Sequence, residues 1–69
     1  MKLTKEEYSK FLNRVAFNLE DKGELRVGQV QYNALYWVNP EVALSIAGSE
    51  VDPFFMDARV TAFLNKIKP

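Results

Sequence analysis

The chain offers few residues for catalysis. It contains no His and no Cys, so the usual general base at neutral pH and the usual soft nucleophile are both missing. Carboxylates remain. Glu50, Asp52 and Asp57 lie close in sequence and could gather at one corner around a hard cation such as calcium or magnesium. However, Asp52 and Asp57 each stand just before a helical segment, where capping explains an aspartate, and the spacing lacks the glycine and alternating oxygen ligands of a calcium loop. Ser9, Ser45 and Ser49 stand in no nucleophile-elbow context, and Gly23, Gly28 and Gly48 are too far apart to cradle a phosphate. These residues predict no catalytic, cofactor-binding or metal site, and no enzyme.

Recognition is the remaining class, and aromatic residues off the expected faces point to it. Phe17 falls on the polar side of the first helix among Lys10, Asn13 and Arg14. Tyr32 and Tyr36 lie one turn apart on the second side of the central helix. Aromatic side chains are enriched at interface centres because they bury much area with few rotors. The tyrosines are also explained as ordinary core residues if neighbouring helices cover them. Phe17 is assigned to an interface with a second copy or a foreign protein, with Arg14 and Asn13 at its rim.

Helices must position these residues. Val27 to Val38, VGQVQYNALYWV, is the organising stretch. At 100° per residue, Val27, Val30, Ala34 and Val38 fall on one side with Trp37 beside them, Tyr32 and Tyr36 fall on the other, and Gln29 and Asn33 form a thin polar strip. A helix apolar nearly all round belongs in the interior. The fold predicted is all-α: about four helices in a single domain spanning 1–69, the central one enclosed by the first, third and fourth.

The first helix is announced by Thr4-Lys5-Glu6-Glu7, a capping box, with Leu3 and Tyr8 placed as a hydrophobic staple. Tyr8, Phe11, Leu12, Val15 and Leu19 form its apolar stripe, and Gly23 ends it. Gly28 weakens the start of the central helix by up to about 1 kcal/mol relative to Ala; a second backbone passing close by would explain it. Asn39-Pro40 closes that helix and opens a short one through Ala47, stopped by Gly48. Glu50 and Val51 read as extended. Asp52-Pro53 opens a helical turn through Phe54 to Met56, Asp57 reads as an N-cap, and Val60, Phe63, Leu64 and Ile67 form the stripe of a last helix. The pattern leaves open whether Asp52 to Ile67 is one helix or a turn and a helix.

Sixty-nine residues with 48% hydrophobic and 13% aromatic content carry core material, but nothing staples them. Nine basic and nine acidic side chains cancel, which argues against nucleic acid as a partner. The central helix, the Asn39-Pro40 turn and the next helix have helix-turn-helix dimensions, yet Pro40 to Ala47 offers only Glu41 and Ser45 as polar groups for reading bases. No run of 18 apolar residues and no apolar N-terminal segment is present. A cytoplasmic protein without membrane contact is expected.

Arg26-Val27-Gly28-Gln29, Asn33-Ala34-Leu35-Tyr36, Val38-Asn39-Pro40-Glu41, Ile46-Ala47-Gly48, Asp52-Pro53-Phe54, Asp57 and Phe63-Leu64 together resemble a pattern in small helical proteins of bacteriophages and prophages. The resemblance spans about two-thirds of the chain and brings no site residues with it. It implies a phage-encoded protein in the bacterial host cytosol that binds and redirects a host protein. The function expected is therefore a protein-binding module, with a packing component of a larger assembly and a helical nucleic-acid-binding module as alternatives.

Overall fold

The computed structural model describes all 69 residues, and the chain is all-α. The helices are α1 (Lys5–Leu19), α2 (Val27–Val38), α3 (Pro40–Ile46) and α4 (Val60–Ile67), with a 3-10 turn at Asp57–Arg59 leading into α4. No helix is long and apolar enough to cross a membrane.

Local chemistry sets most of the boundaries. The Thr4 hydroxyl accepts from the Glu7 N–H, and a Glu7 carboxylate oxygen accepts from the Thr4 N–H, which completes the capping box. Gly23 (φ 59°) and Gly48 (φ 77°) take the left-handed conformation that turns the chain after α1 and α3. Asn39 closes α2 with its backbone N–H and opens α3 with its side chain, accepting from the Val42 N–H, while Pro40 occupies the first helical position. The other Asn39 group, its side-chain amide, donates to Glu7 Oε2 at 3.0 Å and so clamps the start of α1 to the junction of α2 and α3.

One apolar cluster fills the interior: Leu3, Phe11 and Val15 from the N-terminal segment, Ala34 and Leu35 from α2, Val42, Ala43 and Ile46 from α3, and Phe63 and Ile67 from α4. The Phe11 and Phe63 rings meet with centroids 6.0 Å apart. The Leu3 N–H donates to the Ile67 carbonyl, tying the two ends of the chain together. α2 packs along α1 and α3, and its N-terminal end meets the Asp57–Arg59 turn, so it is the central element.

The enclosure is incomplete, which corrects the expectation of a helix covered nearly all round. Gly28, Val30, Gln31, Ala34 and Leu35 are buried, whereas Asn33, Tyr36 and Trp37 are exposed. α1, α3 and the Asp57–Arg59 turn are the elements that pack on α2, and they leave the flank with Asn33, Tyr36 and Trp37 uncovered. The stripe of α1 is displaced too: Phe11 and Val15 are buried, Tyr8 is half-buried, but Leu12 and Leu19 are exposed. Half-buried Glu7, Arg14 and Asn18 take their place, so the inward face is rotated by about 60° from the centre that the apolar spacing gives.

Differences also occur between Ala47 and Arg59. Glu50 and Val51 lie in turns, not in extended chain, and Phe54 to Met56 is a single non-helical turn closed by the Met56 N–H on the Pro53 carbonyl. Asp52 accepts from the Gly48 N–H at 2.7 Å and the Phe54 N–H at 2.9 Å, stitching the segment into a compact loop. Asp57 does not cap its own helix. Its carboxylate accepts from the Gly28 N–H at 2.9 Å, capping α2 from 29 residues away. That helix has no side-chain cap of its own, because Arg26 occupies the N-cap position. Gly28 is a glycine because a Cβ there would collide with the Pro53 carbonyl oxygen, the backbone approach its position suggests.

Candidate functional site

An open cleft of about 330 Å³ lies between α1 and α2, lined by Lys10, Asn13, Arg14, Phe17 and Trp37. Four of these residues come from one face of α1, at i, i+3, i+4 and i+7, which puts them within two turns of each other. The fifth comes from α2. The clamp between Asn39 and Glu7 shows that the two helices run back along each other, so the C-terminal end of α2 lies beside the first half of α1.

Phe17 is 66% and Trp37 59% exposed. Arg14 stands between them, its guanidinium carbon 4.3 Å from the Trp37 ring centroid and 5.8 Å from that of Phe17. Both distances fall within the range of cation–π attraction. The two rings fix a side chain that would otherwise be free to sample many rotamers. Arg14 Nε is buried and has no hydrogen-bond partner. Nor is there a carboxylate on this cation, since the one ion pair in the chain joins Lys10 to Glu6 at 3.9 Å, with both side chains well exposed. Such a pair is weak and easily exchanged for another partner.

The residues singled out in the sequence are therefore only partly brought together. Asn13, Arg14 and Phe17 share the cleft, with Lys10 at its rim. Tyr32 does not. Its hydroxyl donates to the Ala43 carbonyl at 3.1 Å and its ring meets Phe54 edge-on at 5.7 Å, so it braces α2 against α3 and the following loop. Burial, followed by the negative charge of Asp52, raises the Tyr32 pKa above its ordinary 10.0. Tyr36 is 47% exposed and lies outside the cleft, about 100° around the helix from Trp37. Neither tyrosine lines the cleft.

Trp37 is the residue that sequence reasoning missed. On the wheel it sits beside the apolar side of α2 and passes for core. A signal was nonetheless present: folding the chain back at Gly23 sets residue 7 opposite residue 39 and residue 9 opposite residue 37, which brings Trp37 within about a turn of Lys10 and Asn13.

The acidic residues do not assemble into a cation site. Asp52 and Asp57 are engaged with separate backbone amides, and no group of three acidic side chains gathers anywhere in the chain. A second depression, of about 490 Å³, is lined by Met1, Ser45, Ile46, Ser49, Glu50, Val51 and Lys66, without an exposed aromatic ring. What the α1–α2 cleft offers is aromatic surface, an unpaired planar cation and an amide, which is equipment for binding. No family model, curated protein or solved structure matches the chain.

Proposed function

We propose that this chain is a non-enzymatic protein-binding module whose docking face is the cleft between α1 and α2. The observation that carries the reading is the pair of exposed rings, Phe17 and Trp37, held on either side of Arg14. Two large aromatic side chains left mostly in water by a chain of 69 residues forgo part of a burial worth about 1.5–3 kcal/mol when complete. Interface centres are built from such residues, with Trp and Arg prominent among them. A host protein in the bacterial cytosol as the partner is part of this proposal and rests on the sequence pattern alone.

The test is a pair of variants, Phe17→Asp and Trp37→Ala, carried through pull-down from bacterial lysate and circular dichroism. Both variants should keep the helical spectrum and lose the partner recovered by the unaltered chain. Unfolding by either would make that ring part of the core and remove the proposed face. A packing role in a larger assembly is a second reading, favoured by Leu44 and Phe55, exposed by 63% and 73%. It requires concentration-dependent higher-order association of the purified chain in sedimentation.

A further inference from the structure

From the charges in the same cleft, and resting on the docking face just described, we infer that its occupant is an acidic protein segment carrying a large apolar side chain beside a carboxylate. Arg14 supplies the reason. The guanidinium lies over the Trp37 ring with its Nε buried, and its terminal N–H donors can meet a carboxylate in a two-pronged geometry that an ammonium cannot reproduce. Arg14 is held against Trp37 and has no acidic partner within the chain. Holding the side chain in place beforehand removes much of the ordering cost that weakens salt bridges at exposed surfaces.

Lys10, at the rim, adds a second positive charge and can leave Glu6 for a better-placed carboxylate. Asn13 adds an amide that can meet a peptide backbone. The rings of Phe17 and Trp37 leave apolar area for one or two side chains of the incoming segment, in keeping with a cleft at the small end of binding-site volumes.

Single-stranded nucleic acid also combines negative charge with flat rings, but the charge pattern favours the peptide. A phosphate backbone needs a track of cations. This face has two, with Glu6 one turn from Lys10, on a chain of zero net charge.

Trp37 is the only tryptophan, so its fluorescence reports on this site alone. The probes are an acetylated and amidated heptapeptide with Glu flanking a Leu and a Phe, the same peptide with Gln or Lys in place of every Glu, and a uridine oligonucleotide. The expected result is saturable change with the Glu peptide, weaker with Gln and absent with Lys, and an affinity that falls as salt rises. Arg14→Gln should lower the affinity about tenfold or more, and Arg14→Lys should recover only part of it. Circular dichroism of each variant confirms that the fold is kept. Equal binding of the Glu and Lys peptides, preference for the oligonucleotide, or no response to any probe would overturn the inference. If a lysate partner is lost with Phe17→Asp and kept with Arg14→Gln, the docking face stands and the acidic occupant falls.

Discussion

Replacing Gly28 by Ala sets a local rule against a tertiary one. Helix propensity alone makes Gly28→Ala stabilising by about 1 kcal/mol, since Gly28 lies in the first turn of α2. The structure reverses the sign. The new methyl group would enter the space of the Pro53 carbonyl oxygen, and Pro53 is itself fully buried, so it cannot simply swing away. Forcing extra volume into a packed site costs about 1–3 kcal/mol. The Asp57 carboxylate oxygen would stand 3.1 Å from the same methyl group, so the cap on the Gly28 N–H is strained or lost, at about 0.5–2 kcal/mol more. The net effect is destabilisation of about 2 kcal/mol, or roughly 8–16 °C in Tm for a domain this small. Urea unfolding followed both by circular dichroism and by Trp37 fluorescence measures it. Asp57→Ala alone should cost about 1 kcal/mol, and adding Gly28→Ala to it should cost less than in the parent chain, because the two act on one contact. A variant Gly28→Ala more stable than its parent would refute the close packing of the 53–57 segment on α2.

Three further outcomes rest on contacts elsewhere in the fold. Asn39→Ala removes both the cap on α3 and the amide donated to Glu7, and should lower stability by about 1–2 kcal/mol in denaturant melts. Glu7 provides a pH test: the Thr4 N–H donated to its carboxylate holds its pKa below the ordinary 4.5, with the Asn39 amide and the Thr4 hydroxyl helping against partial desolvation. A depressed folded-state pKa stabilises the fold above the unfolded value and loses that contribution as pH falls below about 4.5 toward the folded one, so Tm should drop across that window, and less steeply in Glu7→Gln. Phe63→Ala opens a cavity beside Phe11 and should cost about 3–5 kcal/mol, comparable with the whole stability of so small a domain, leaving a chain without the cooperative helical melt of its parent.

Residues close along the chain made the helices legible in the sequence. Thr4 with Glu7, Asn39 with Pro40, and the left-handed Gly23 and Gly48 act over three or four residues, so their chemistry is visible in the order of letters alone. The mismatch of Phe17 with its polar neighbours was visible in the same way, and it identified one wall of the cleft. The rotation of each helix about its axis was not. It depends on what the other helices can cover, and that exposed Leu12 and Leu19 while bringing Arg14 inward. α1, α3 and the Asp57–Arg59 turn do not cover the whole of α2, so Trp37 became a wall of the cleft and not part of the core. Asp57 capping Gly28 and Arg14 lying over the Trp37 ring join residues 29 and 23 positions apart. Period and propensity carry no information over such separations, because only the packed chain decides which side chains from distant turns share a surface.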